Sequence, residues 1–341
     1  MKKLLNTLFV TTQGTYLSRD GETVLVRREQ ETLLRVPIHT LGGIVCFGQV
    51  SVSPPLMGLC GERQVLISFL SERGRFLARV TGPVAGNVLL RRRQYRVADR
   101  PMDACPIARS VVLAKVANCR TVLLRANRDS PERSPDIEEA AAYLGRTLER
   151  LERTDVDLDV LRGVEGDAAR TYFSVFDRLI TVRGEFEFRG RTRRPPLDPV
   201  NALLSFVYTL LVHDLTSALE TNGLDPCVGF LHTERPGRPS LALDLMEEFR
   251  PILADRLVLS LINRRQVRAD GFKTLDSGAV EMDEATRKEV LSAWQKRKQE
   301  EVQHPFIDEQ APVGLFPHLQ ALLLARHLRG DLDAYPALIW R

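Results

Sequence analysis

The sequence lacks the marks of several large protein classes. Its 341 residues hold five cysteines (Cys46, Cys60, Cys105, Cys119 and Cys227), an odd number with no C-x-x-C pair. That pattern argues against a zinc ribbon or a disulfide framework and for a reducing compartment. Internal repeats and low-complexity segments are missing. The longest apolar stretch, around residues 202–212, is far too short to span a bilayer. The opening MKKLLNTLFV looks superficially like a secretory leader, but Asn6 and Thr7 break the apolar run and no small-residue cleavage site follows. The expected location is the cytoplasm. No helix-turn-helix, zinc-finger or RNA-recognition signature is present, so little sequence-specific base reading is expected. An excess of one charge is lacking too: 48 Lys and Arg face 44 Asp and Glu, a net charge of +4. A nucleic-acid surface would have to come from local clusters.

What is present is an ordinary mixture, 44% hydrophobic and 27% charged, in a chain long enough for two domains. Residues 1–83 read as β structure. Strands are expected at 4–12, 33–38, 43–47, 65–70 and 76–81, with a short helix at 54–62. Residues 15–28 read as a hairpin, because Asp20-Gly21 suits a tight type I′ turn. From residue 84 to 341 the apolar period becomes helical. Ser134-Pro135 opens a helix to about residue 153, and Asp198-Pro199 opens another that Gly223 stops. Ser240 can cap a third, Asp283 a fourth running to about residue 302, and residues 315–328 form the last. The tail to Arg341 is expected to be loosely ordered. The fold class is α+β, a β-rich domain of residues 1–83 followed by a larger all-α domain of residues 84–341. The boundary falls in the loop at 82–86.

Three blocks carry chemistry. In GLDPCVGFLHTERPGRPSLALDLMEEFRP, residues 223–251, His232 precedes a helix whose Asp244, Glu247 and Glu248 fall on one turn. An imidazole beside clustered carboxylates suits Mg²⁺ or Mn²⁺; the same cluster also reads as a solvated acidic helix face. In GVEGDAARTYF, residues 163–173, Glu165 lies between two glycines that let the helix pack closely against a neighbour. Between the two, RGRTRRPPLDPVNALLSFVYTLL, residues 189–211, passes from a basic loop into an apolar helix. Basic clusters recur: Arg91, Arg92 and Arg93; Arg189, Arg191, Arg193 and Arg194; Arg264, Arg265 and Arg268; and Arg287, Lys288, Lys296, Arg297 and Lys298. Singly, each reads as a solvated face; four in the half that holds the acidic cluster point to tracking of a DNA backbone. Tyr172, Tyr208 and Phe230 read as core residues, with the Tyr208 hydroxyl able to reach the acidic pocket. Cys227 reads as buried.

In this order the three blocks resemble the CRISPR adaptation integrase, the first of the CRISPR-associated proteins, and look most like its I-C subtype. The resemblance implies a mostly β amino-terminal domain and a helical carboxy-terminal domain with a divalent-metal site. Carried over position by position, it implies that Glu165, His232 and Glu247 bind Mg²⁺ or Mn²⁺ and that Asp244 supports them. Many members have aspartate where Glu247 stands; Glu248 has no counterpart and would be solvent-exposed or paired with Arg250. The implied activity is a metal-dependent DNA endonuclease and integrase that inserts short duplex fragments into a CRISPR array. The implied partners are double-stranded DNA (spacer fragment and repeat), a second copy docked through residues 1–83, and the small second CRISPR-associated protein bridging two dimers. The competing reading is a non-catalytic nucleic-acid-binding scaffold of the same fold.

Overall fold

A computed structural model describes residues 6–72, 76–80, 82, 88–153, 156–182 and 184–340. Its contacts divide the chain into two units, Met1–Gly86 with Gln295–Glu300, and Asn87–Trp294 with Glu301–Arg341. Most of the expected boundary loop, and residues 4 and 5 of the first expected strand, lie outside the described residues. The architecture is α+β, as the sequence reading expected, with strands concentrated at the amino end and helices after them.

The first unit runs β1 (Asn6–Val10), β2 (Thr15–Asp20), β3 (Thr23–Arg28), β4 (Glu31–Pro37), β5 (Leu41–Phe47), β6 (Val50–Val52), α1 (Pro54–Glu62), β7 (Leu66–Leu70) and β8 (Phe76–Val80). Two four-stranded sheets result, ordered β4-β3-β2-β6 and β1-β5-β7-β8. Alternation sets the buried faces: β2 buries Thr15 and Leu17 and turns Tyr16 outward. Leu17, Val24 and Ile38 meet Ile44, Cys46 and Ile67, with Leu56 and Leu59 of α1 completing the core. Two details differ from the sequence reading. Asp20 pairs with Thr23, so the hairpin turn is Gly21-Glu22, and the positive φ falls on Gly21 (+57°). A glycine at the first central position marks a type II′ turn rather than I′. Strand β6, three residues long and unanticipated, runs parallel to β2.

The second unit contains α2 (Val88–Ala98), α3 (Pro101–Asp129), α4 (Pro135–Arg153), α5 (Leu158–Ser174), α6 (Pro199–Thr221), α7 (Ser240–Phe249) and α8 (Arg256–Asn263). After them come the ribbon β9 (Phe272–Thr274) with β10 (Val280–Met282), α9 (Glu284–Gln299), whose residues from Gln295 on belong to the first unit, the ribbon β11 (Glu301–Gln303) with β12 (Gln310–Pro312), and α10 (Phe316–Arg329). The 29-residue α3 is the axis, packed by α4, α5 and α7. Its buried stripe includes Val111, Lys115, Asn118, Cys119 and Val122, the i, i+4, i+7 rhythm of one helical face. Asp198 starts α6 by accepting the Asn201 N–H at 2.7 Å, and Gly223 (φ +77°) follows its end.

Several expectations are corrected here. At 23 residues, α6 is long and apolar enough to cross a membrane by length and composition, longer than the stretch read from sequence, yet most of it is buried inside the protein. Ser240 is the first residue of α7 rather than its cap, and its hydroxyl donates to the Thr233 carbonyl at 3.3 Å. Helix α9, capped by Asp283, ends at Gln299 because residues 301–303 leave it to pair as β11. The tail is anchored, not loose. The Tyr335 hydroxyl and the Leu338 N–H each donate to Glu248 at 2.7 Å, and the Trp340 N–H donates to Asn118 at 2.8 Å. Glu248 is therefore fully buried, neither solvent-exposed nor paired with Arg250.

Candidate active site

Four segments of the second unit meet in one cluster. Helix α3 supplies Lys115, α5 supplies Glu165, the loop before α7 supplies His232, and α7 supplies Asp244 and Glu247. The Lys115 ammonium pairs with Glu165 and lies 2.7 Å from Glu247 Oε2. Glu247 Oε1 is 2.8 Å from the Arg250 guanidinium, one helical turn on, and 3.9 Å from His232 Nε2. The structure thus gathers Glu165, His232 and Glu247, which are distant in sequence, around a lysine. Among the described residues no group of three His, Cys, Asp or Glu side chains stands ready as a cation cage, the ammonium lying between the two glutamates.

Asp244 has a different task. Its Oδ2 accepts the N–H groups of Phe230 (2.6 Å) and Leu231 (3.0 Å), and its Oδ1 accepts the N–H (2.8 Å) and Nδ1 (2.7 Å) of His232. A carboxylate can only accept, so this network assigns a proton to Nδ1, and Nε2 is the ring nitrogen turned toward Glu247. Both oxygens are spent on holding the loop and the ring. The loop comes so close that a Cβ on Gly229 would sit 2.8 Å from Asp244 Oδ2 and 2.9 Å from the Ser240 carbonyl carbon. Glycine is required there by close approach.

The electrostatics follow from burial and pairing. Burial works to raise the Glu247 pKa, but Arg250, Lys115 and His232 outweigh it and hold the carboxyl down at about 2. For Lys115, burial works downward, and Glu247 and Glu165 reverse it, raising the ammonium above its ordinary range. Both groups are charged at neutral pH. Glu248, one residue on, is pushed up to about 7 by burial. Glu247 Oε2 is buried and, apart from its ion-pair contact, meets no donor at hydrogen-bonding angles among the described residues.

Other assignments sort by location. The Tyr208 hydroxyl donates to Asp255 at 2.6 Å, while its ring lies 4.8 Å under Arg250. Burial pushes Asp255 up to about 6. Tyr172 and Phe230 are core residues. Cys227, expected to be buried, is exposed. Gly163 and Gly166 beside Glu165 face open space, so close helix packing is not their reason; Leu161, Val164, Ala168 and Tyr172 are the residues buried on that helix.

Of the arginines, Arg92, Arg93, Arg189, Arg193, Arg194, Arg264 and Arg265 are exposed and Arg91 is half-buried. Arg189 pairs with Glu187, and Arg265 with Glu185. Arg191 departs from the surface role expected of it. Its guanidinium turns inward to Asn201 (2.7 Å) and Ser205 (3.1 Å) and lies 5.2 Å over the Tyr208 ring. Lys298 is buried and Arg297 pairs with Glu300, which weakens the last basic cluster. Sequence reasoning missed Lys115 and the Arg250–Glu247 pair. The available signal for the first was a lone lysine inside the apolar run SVVLAKVANC.

Comparison with known proteins gives the chain's relatives and its fold. The family model for CRISPR associated protein Cas1 matches residues 8–296. The chain is 55% identical over 344 residues to a CRISPR-associated endonuclease Cas1 of Chlorobaculum tepidum, covering 100% of both. It is 57% identical over 347 residues to one of Rhodospirillum rubrum, again covering 100% of both. Among solved structures it is similar to a casposase bound to integration product, with TM-score 0.84, 21% identity, and 99% of this chain and 95% of that one covered. It is also similar to a chain of a Cas6-RT-Cas1–Cas2 complex, with TM-score 0.82, 22% identity, and coverage of 100% and 36%. At such identities the structural likeness speaks for the fold.

Proposed function

The chain belongs to the CRISPR-associated protein Cas1 family, and on that premise we propose that Glu165, His232 and Glu247 hold Mg²⁺ or Mn²⁺ in its active site. The protein is an endonuclease and integrase of CRISPR adaptation, joining short duplex fragments into an array by phosphodiester exchange. The observation that carries the metal reading is the convergence of two carboxylates and the Nε2 of an imidazole that Asp244 orients through Nδ1. Two hard oxygen donors and one such nitrogen suit these ions. When bound, a divalent ion supplies positive charge against the negative charge that grows on the phosphodiester in the transition state.

The chain's own residues prepare that site. Asp244 fixes the His232 ring and tautomer, and Arg250 fixes one oxygen of Glu247. Glu165 and His232, about a fifth exposed where Glu247 is buried, form the wet side of the cluster through which DNA enters. A 3′-hydroxyl attacking phosphorus forms a new ester as the old bond to oxygen breaks, so the bond count is conserved and the strand is joined; water in its place gives cleavage.

Exposed Arg193 and Arg194 stand for the basic surface that holds the backbone of double-stranded DNA, both spacer fragment and repeat. The I-C subtype, a cytoplasmic location, and assembly as a homodimer bridged to another by the small second CRISPR-associated protein complete the reading. Tyr16, Leu33 and Leu34, exposed on the β4-β3-β2-β6 sheet of the first unit, support a twofold dimer through that unit. The test is plasmid nicking and fragment joining with Mn²⁺, run with and without chelator, for the wild type and His232→Ala. Joined product is expected for the wild type with Mn²⁺ alone, while His232→Ala keeps duplex binding and forms none. Equal product in chelator would refute the metal reading, and no joined product with Mn²⁺ would leave the scaffold reading in its place.

A further inference from the structure

Lys115 is the residue of the cluster that metal chemistry leaves unexplained. It sits on the buried stripe of α3 with its side chain only 5% exposed, and both glutamates converge on its ammonium. A lysine so buried is retained only with partners in place. Charge counting sharpens the point. Glu165 and Glu247 bring two negative charges, and Lys115 and Arg250 bring two positive ones. Asp244 stands apart, met by three backbone N–H groups and the imidazole. Leaving Asp244 to its own donors, these four charges balance before any divalent ion enters, so an added ion would be opposed by both resident cations unless one of them moves.

Arg250 is the worse candidate to move, being held by Glu247 and by the Tyr208 ring. Lys115 has a flexible four-carbon stem and a point charge without directional packing. It also has somewhere to go. Glu165 and His232, each about a fifth exposed, mark the more open side of the cluster.

We propose that Lys115 is a place-holding cation: it keeps Glu165 and Glu247 together in the metal-free protein and is exchanged for the divalent ion when that ion binds. The inference rests on the metal reading of the same site. Lys115 is thus a positioning residue that sets the metal affinity by competing for the carboxylates. It restrains the two glutamates against mutual repulsion, and its departure delivers a positive charge to the side where a phosphodiester would lie.

The test is Mn²⁺ binding to the metal-free full-length protein, read as free Mn²⁺ by electron paramagnetic resonance, for the wild type, Lys115→Met and His232→Ala. Methionine keeps much of the stem and removes the charge. Lys115→Met is expected to bind Mn²⁺ tighter by about tenfold or more, the size expected when one full charge competitor is removed from a buried site, whereas His232→Ala binds more weakly. A second readout needs no variant: acetylation of Lys115 by acetic anhydride, followed by mass spectrometry, is expected to be slow without Mn²⁺ and faster with it. His232-dependent binding that Lys115→Met leaves unchanged or weakened, or an acetylation rate indifferent to Mn²⁺, overturns the exchange and leaves the metal site standing. A wild type that binds no Mn²⁺ through His232 overturns both.

Discussion

Asp244→Asn is the substitution whose consequences the structure specifies best. The carboxylate accepts four hydrogen bonds, two on each oxygen, from Phe230 N, Leu231 N, His232 N and His232 Nδ1. Asparagine keeps one oxygen. If its NH₂ replaces Oδ2, two backbone donors of the loop face another donor; if it replaces Oδ1, the His232 N–H and Nδ1–H do. In the first case two buried donors lose their acceptor, and in the second at least the His232 N–H does, at about 1–3 kcal/mol each. The site is 1% exposed, so water does not relieve the loss. Differential scanning fluorimetry should show a clear fall in Tm. The remaining protein should also bind Mn²⁺ about 10–100-fold more weakly, the usual cost of removing the partner that orients a ligand histidine. A variant that melts with the wild type and joins DNA at the wild-type rate would refute the assignment of Asp244 as the anchor of the His232 loop.

Two further expectations follow from charge. Replacing Arg193 and Arg194 together by alanine should weaken duplex binding and make the dependence of log K on log salt shallower by up to about 2, since each neutralised phosphate contributes roughly 0.9; an unchanged slope would remove them from the DNA surface. Burial raises Glu248 from 4.5 to about 7 in the folded protein, so between those values the folded state binds more protons than the unfolded one. Its contribution is fully present below pH 4.5 and is lost as pH rises toward 7. Glu248→Gln should flatten the fall in Tm across that window, and a slope identical to wild type would contradict the assignment.

Local signals in the sequence were legible where local physics decides the outcome. Asp198 followed by Pro199 announces a helix start, and the side chain indeed caps α6. The alternation of β2 and β3 announces the hairpin, although the glycine takes the first central position of the turn rather than the second. The blocks around Glu165, His232 and Glu247 stood out through their resemblance to a family, which singled out three side chains that the structure brings together. What stayed hidden depends on contacts between distant segments. Lys115 meets Glu165 and Glu247 only because α3 packs against α5 and α7, and nothing near residue 115 in the chain encodes those crossings. Glu248 reads as an exposed acid until the tail brings Tyr335 and Leu338 onto it. Arg191 belongs to an alternating basic run, and its inward turn is decided by Asn201 and Ser205 on the next helix.

The central claim is that Glu165, His232 and Glu247 form one divalent-metal site. Anomalous scattering at the manganese edge, from crystals of the wild-type protein grown with Mn²⁺, tests it most directly. The account expects a single strong peak touching the carboxylates of Glu165 and Glu247 and the Nε2 of His232, with Asp244 still bound to Nδ1. An anomalous map with no peak among those three side chains, or with its peak held by other residues, would contradict it.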